Sequence, residues 1–153
     1  MTIAVIGRVA ESYCRKVYSD TENRKKLLDR YPQSFFGLYM LEKEEIEAPL
    51  FSVDFESAAD GGVYGALWRL LKRNGLGGEF SQREIPVSQQ AIEICETFGL
   101  DPYRLSSEDC YVCLTGDVRE GMKAIGHTEK GPAIRRVDGE SIAYLRRPEI
   151  LPG

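Results

Sequence analysis

The sequence predicts an α+β fold: a mixed β-sheet covered on at least one face by helices, with a helical N-terminal extension. Three observations predict it. After residue 50, short β-rich runs alternate with amphipathic runs that carry helix start and stop signals. Asp138-Gly139 separates two short strand-like runs, the signature of a hairpin. The first third of the chain reads mostly as helix, broken at Pro32 and Pro49. The expected organisation is one domain, residues 1–153, in which 1–50 are a helical lead-in and 51–147 the core.

Taken in order, residues 2–9 (TIAVIGRV) read as a strand or extended arm, and 11–17 as a short helix. In SDTENRKKLLDRYP a helix is capped by Asp20 or Thr21, with acids early, bases late and Pro32 at its end. QSFFGLYMLEKEEIEAP follows as a helix with Phe35, Leu38, Tyr39 and Glu42 at helical spacing; its charged tail is a solvated end closed by Pro49. LFSVDF alternates as a strand.

The next helix places Val63, Leu67, Leu70 and Leu71 on one face. Asp60 is its expected cap, Lys72 and Arg73 suit its negative end, and Asn74-Gly75 stops it. GGEFSQREIPV reads as a strand ended by Pro86. Ser88 then caps a helix that ends at Gly99 and turns Ala91, Ile92, Cys95 and Phe98 inward. LDPYRLSSED is a loop and CYVCLTG a strand. DVREGMKAIG reads as a helix: Asp117 and Glu120 have capping-box spacing, and Val118, Met122 and Ile125 recur at helical intervals. AIRRVDGESIAYL closes the chain as a hairpin around Asp138-Gly139.

Composition bounds the function. The net charge of −4 offers no basic surface for a phosphate backbone, which argues against nucleic acid. No apolar run has the length of a membrane span, and the N-terminus has no basic segment or cleavage site of a secretory signal, so the expected location is the cytoplasm. Cys14, Cys95, Cys110 and Cys113 are too scattered for a disulfide scaffold. Cys110 and Cys113 have C-x-x-C spacing, but in a strand they point to opposite faces and cannot share a metal ion. No metal site and no cofactor is expected.

ADGGVYGALWRLLKRNGLGGEF, IPVSQQAIEICETFGLDPYRLSS and CYVCLTG, within residues 56–114, resemble the C-terminal domain of the aminoimidazole ribonucleotide (AIR) synthetase-like, or PurM-like, superfamily. The superfamily includes AIR synthetase, selenophosphate synthetase, thiamine-monophosphate kinase and a hydrogenase maturation protein; the resemblance is strongest to the hydrogenase maturation branch. It implies that fold, and a nucleotide-handling relative whose N-terminal domain supplies the acidic metal ligands and much of the ATP site. This chain resembles the C-terminal domain only. Members commonly read His-Asp-x-Thr-x-Gly-Gly before the long helix. Here the His, Asp and Thr positions hold Glu56, Ser57 and Ala59, and where relatives often have Ser-Gly this chain has Ser107-Glu108. A methyl at Ala59 neither donates nor accepts a hydrogen bond. These departures imply a binding or protein-interaction module without ATP-dependent chemistry of its own. The alternatives are a subunit that completes an ATP-dependent enzyme with a separate ATP-binding chain, and a small-ligand sensor.

The candidate ligand-binding residues are Asp60, Gly61 and Gly62. The glycines either pack the backbone closely or form an anion seat from the first helix amides, and such a seat takes a phosphorylated small molecule. Asp60 opposes a phosphate there. Candidate partner contacts are Tyr64 and Trp68, four apart on one helical face, and Arg135 and Arg136. Both arginine pairs, 135–136 and 146–147, also read as edge-strand protection paired with Glu140 and Glu149. His127, the only histidine, has no nucleophile or carboxylate placed beside it by the sequence and reads as a surface or edge-strand residue. Asp54 and Glu56 are cation candidates that read more simply as solvated. The expected partners are a protein or a second copy of the chain, with no membrane.

Overall fold

A computed structural model describes residues 1–41, Ile46 and residues 54–147. Among the described residues, seven strands form one mixed sheet: β1 (Thr2–Ile6), β2 (Asp54–Ala58), β3 (Gly77–Phe80), β4 (Ser107–Thr115), β5 (Met122–Glu129), β6 (Ile134–Asp138) and β7 (Ser141–Tyr144). Their order is β2-β4-β1-β5-β3-β6-β7. All neighbouring pairs are antiparallel except β3 and β6. The helices are α1 (Glu11–Ser19), α2 (Thr21–Leu28), α3 (Gln33–Leu41), α4 (Gly62–Arg73) and α5 (Gln89–Phe98). The fold is α+β.

Two apolar cores organise these elements. In the first, Val63, Leu67, Leu70 and Leu71 of α4 pack with Ile3 and Val5 of β1, Val112 and Leu114 of β4, Phe80, Ile125 and Ile134. Burying one such aliphatic side chain contributes roughly 1.5–3 kcal/mol, so this face sets the register of the sheet. In the second, Cys14 and Tyr18 of α1, Leu27 of α2, Phe36 of α3 and Ala91, Ile94 and Cys95 of α5 pack together. Tyr18, Tyr31, Phe35 and Phe36 make a chain of ring contacts within it. Val87 touches both cores.

Several local expectations hold. The Asp20 carboxylate accepts from the Asn23 amide at 3.0 Å and starts α2. The Ser88 hydroxyl accepts from the Ala91 amide at 3.1 Å and starts α5, which Gly99 ends in the left-handed conformation. Cys110 and Cys113 lie on β4, odd-spaced and both buried.

Others are corrected. Residues 122–129, expected within or beside a helix, are strand β5, because β1 and β3 pair with them from both sides. β3 stops at Phe80; the chain then makes a 3-10 turn, Gln82–Glu84, tied by the Ser81 hydroxyl and the Arg83 amide to the Asp138 carboxylate at 2.6 and 3.2 Å. The hairpin turn residues are Gly139 and Glu140, since Asp138 pairs with Ser141. On α5, Ile94 rather than Ile92 is buried. α2 ends at Leu28, ahead of Pro32.

The lead-in also does more than precede the core. β1 lies inside the sheet, between β4 and β5. It leads to α1 through Ala10, which takes a left-handed conformation (φ 60°) although it is not glycine. That costs about 1–2 kcal/mol. The buried Ala10 amide donates to the Ser107 hydroxyl at 2.8 Å, which fixes the turn against β4. The charged helix tail expected at 42–47, Pro49, and the start of the strand expected at 50–53 lie outside the described residues, Ile46 excepted. So do the side chains of Leu38, Tyr39 and Glu42.

Candidate functional site

β2 delivers the chain to the turn Ala59–Asp60–Gly61–Gly62, and α4 leaves from it. Gly61 and Gly62 both have positive φ, 72° and 69°. These two left-handed residues delay the helix start, so Gly61 and not Asp60 holds the cap position. This corrects the expected cap: no side chain caps α4, and Asp60 is exposed. The two glycines differ in their surroundings. A Cβ on Gly61 meets nothing closer than 3.4 Å, whereas a Cβ on Gly62 would lie 2.5 Å from the Tyr103 carbonyl oxygen and 2.7 Å from the Leu105 carbonyl oxygen. The loop 103–105 is therefore seated on Gly62. It also takes a helix-start donor, since the Tyr64 amide donates to the Tyr103 carbonyl at 3.1 Å.

Arginines close the flank. Arg69 donates to the Ser57 carbonyl at 3.1 Å and lies 3.7 Å from the Glu56 carboxylate. Arg73 pairs with both Asp54 and Glu56, and the Asn74 side-chain amide donates to Asp54 at 2.7 Å. The bond from Asn74, with Arg73 beside it, holds the Asp54 carboxyl below its ordinary range. The two cation candidates of the sequence thus already face guanidinium groups. At Ala59 the amide donates to the Ser57 hydroxyl at 3.2 Å. Ser107 is buried, donating to the Leu105 carbonyl at 3.0 Å while accepting from Ala10, and exposed Glu108 lies 4.0 Å from Lys16.

The two aromatic residues of α4 separate. Tyr64 is only 4% exposed and belongs to the sheet-side core, stacked on Tyr103 (centroids 5.6 Å apart) and edge-on to Phe80. Its hydroxyl donates to the Gln82 side chain. Burial pushes its phenol up to about 12. It is therefore neither exposed nor packed on the N-terminal helices. Trp68 is half-buried against the same core, with the Lys72 ammonium 4.6 Å from its ring centroid.

A second polar locus crosses the sheet. His127 of β5 is the register partner of Glu79 on β3, and Glu79 is the partner of Arg135 on β6. His127 Nε2 lies 3.4 Å from Glu129 Oε1 and 3.8 Å from Glu79 Oε2. Arg135 donates to both Glu129 oxygens at 2.8 and 3.0 Å and to Glu79 at 3.3 Å. The hydrogen bond from Arg135 holds the Glu129 carboxyl low. Glu79, His127 and Glu129 offer ligand atoms within 4.8 Å of one another, a set that suits a divalent metal. Arg135 already supplies positive charge to both carboxylates. His127 is at the surface, one of the two expected places, though on an interior strand, and it has two carboxylates beside it that the sequence did not place. Arg135 bonds Glu79 and Glu129, Glu149 lies outside the described residues, and β6 is not an edge. Arg136 donates to Gln82 at 3.1 Å and lies 3.7 Å from Asp138.

Sequence reasoning missed this locus because residues 117–126 read as a helix, with His127 just after it, so His127 and Glu129 were not placed on a strand beside Glu79. The alternation in His127-Thr128-Glu129 was the available signal, since positions i and i+2 of a strand share a face. It also missed a contact between Cys14 and Cys95, for which the sequence carries no signal.

No family profile matches the chain, and no curated protein matches it. Solved structures do. Hydrogenase maturation protein HypE in complex with ATP superposes with a TM-score of 0.66 at 15% identity, over 99% of this chain and 51% of that one. HypE in a HypE–HypF complex gives 0.62 at 16%, over 96% and 52%. Thiamine monophosphate kinase from Aquifex aeolicus gives 0.50 at 18%, over 85% and 48%. The chain thus spans about half the length of the solved chains it matches. At these identities the likeness is one of fold, and the fold is the AIR synthetase-like one that the sequence resemblance implies.

Proposed function

We propose that this chain is a non-catalytic binding or protein-interaction module, related to hydrogenase maturation factors. One observation carries the reading: the Gly62 side of the Gly61-Gly62 turn is filled by its own chain. Loop 103–105 sits on Gly62, the Tyr64 amide is taken by Tyr103, and the position where relatives place a threonine is the methyl of Ala59. An anion seat needs free amides facing outward and no competing carboxylate. Here exposed Asp60 stands at the mouth of the turn. Steady-state assay of the purified chain with Mg-ATP tests this. The expected result is no turnover above buffer and no nucleotide-dependent rise in melting temperature; ATP hydrolysis abolished by Gly61→Ala would overturn it.

The contacting surface in this reading is the β6–β7 hairpin. β7 ends the sheet order, and Ile142 and Tyr144 are 58% and 65% exposed, beside Arg146 and Arg147. Alternate residues of a strand share a face, so the two apolar groups lie together next to an edge. Self-association through it predicts a concentration-dependent mass in light scattering that Ile142→Lys abolishes. Residues 1–153 act as one unit here.

A second reading has a specific support. The chain matches about half of an ATP-bound HypE, and HypE also occurs in a complex with HypF. On that reading it completes an ATP-dependent enzyme with a separate ATP-binding chain. Co-purification of such a chain, with ATP turnover only in the mixture, would favour this reading over the first.

A further inference from the structure

We propose that Cys14 and Cys95 are a peroxide-oxidisable pair, forming an internal disulfide that ties helix α1 to helix α5. Their sulfurs lie 3.7 Å apart, the one cysteine–cysteine contact among the described residues. A disulfide bond is about 2.05 Å long, so closure needs the sulfurs to approach by roughly 1.7 Å. Both sit in the helical core, Cys14 fully buried and Cys95 2% exposed. The pair spans residues far apart in the chain but on adjacent helices, so the link joins the lead-in to the core.

The surroundings give the two sulfurs different roles. Either thiol can donate across this contact, and the Cys14 sulfur also lies 3.8 Å from the Ala91 carbonyl oxygen; the contact holds the Cys95 thiol low and raises that of Cys14. Glu11 adds to the rise at Cys14, and Asp101 opposes the fall at Cys95. Cys95, the less buried of the two, is the attacking sulfur in this proposal. Cys110 and Cys113 differ: burial pushes Cys110 up to about 12 and raises Cys113, and β4 geometry turns them apart.

The chemistry closes with one hydrogen peroxide as the two-electron oxidant. The Cys95 thiolate attacks one peroxide oxygen. The S–O bond forms as the O–O bond breaks, and the departing hydroxide takes a proton to become water. The Cys14 sulfur then attacks the Cys95 sulfenic acid. The S–S bond forms, the S–O bond breaks, and the leaving oxygen departs as water with the Cys14 proton. Two thiols lose two electrons together, and the peroxide is reduced to two waters. A dithiol reverses the reaction by exchange.

The test uses the full chain, treated with hydrogen peroxide and quenched. Expected are a fall in titratable thiols from four to two in denaturant, a non-reducing peptide map joining Cys14 to Cys95, and recovery of all four on dithiothreitol. The oxidised chain melts at higher temperature, because the link restricts the unfolded ensemble. Cys14→Ala, which keeps a small apolar group, leaves Cys95 to accumulate a dimedone-trappable sulfenic acid. Four thiols surviving peroxide, a bridge between chains, or oxidation of Cys110 or Cys113 ahead of Cys95 would each overturn the proposal.

Discussion

The Gly61-Gly62 turn and the His127 row are both polar places held by backbone register, yet they are built in opposite ways. At the turn, main chain presses on main chain: loop 103–105 occupies the space in front of Gly62. At the row, side chains face outward from β3, β5 and β6 and satisfy one another, with His127 58% exposed. The motif with the ligand-like sequence is closed, whereas the residues without a motif are open. A glycine pair therefore reports a steric need first, and a ligand only when the space in front of it is vacant.

Substitutions measure that contrast, and the largest effect belongs to Gly62. Gly62→Val adds a branched side chain at positive φ against two carbonyls, and should destabilise by more than about 3 kcal/mol or prevent folding. Gly61→Ala, one residue away with room for a methyl, should cost about 1 kcal/mol in urea unfolding. Equal costs at the two positions would erase the distinction.

Next comes Tyr64, which joins the turn to the core. Its phenol is raised to about 12 by burial, from an ordinary value of 10. The neutral form is favoured when folded, so its contribution is intact below pH 10 and drains as pH rises toward 12. That shift corresponds to roughly 3 kcal/mol at most. Tyr64→Phe should flatten the alkaline limb of the stability profile, followed by urea unfolding between pH 9 and about 12.

The row responds on the acid side. Glu129 is held low by Arg135, so its contribution is present above the unfolded carboxylate value and is lost as pH falls through the range below about 4. Arg135→Ala should therefore lower the melting temperature at pH 7 more than at pH 3; an equal loss at both would exclude the ion pair as its cause. The smallest change is His127→Gln, an exposed site expected to stay within about 0.5 kcal/mol of the parent.

How much was legible follows from where the information lies. α2, α4 and α5 were readable because capping and stopping are local: Asp20, Asn74-Gly75, and Ser88 with Gly99 announce themselves within a few residues. β5 was not. Val118, Met122 and Ile125 satisfy a helical spacing, but strand pairing on both flanks decides the outcome. Gly126 belongs to that pairing, since a Cβ there would lie 1.9 Å from the Glu79 carbonyl oxygen. At the candidate site, the loss of a hydroxyl at Ala59 was visible in sequence. The burial of Tyr64, the approach of 103–105, and the meeting of Glu79 with His127 depend on distant segments, and pattern reading within a window cannot reach them.

β1 pairs on both sides with strands that lie far along the chain. Both of its neighbours, β4 and β5, are translated roughly a hundred residues later. Until then the segment Ile3–Ala4–Val5–Ile6 has two unpaired flanks and no covering helix α4. Closing so wide a span is entropically slow. During synthesis that segment is thus exposed to aggregation, and chaperone occupancy there should exceed that of β2, β3 or β4, whose partners follow sooner or are already made.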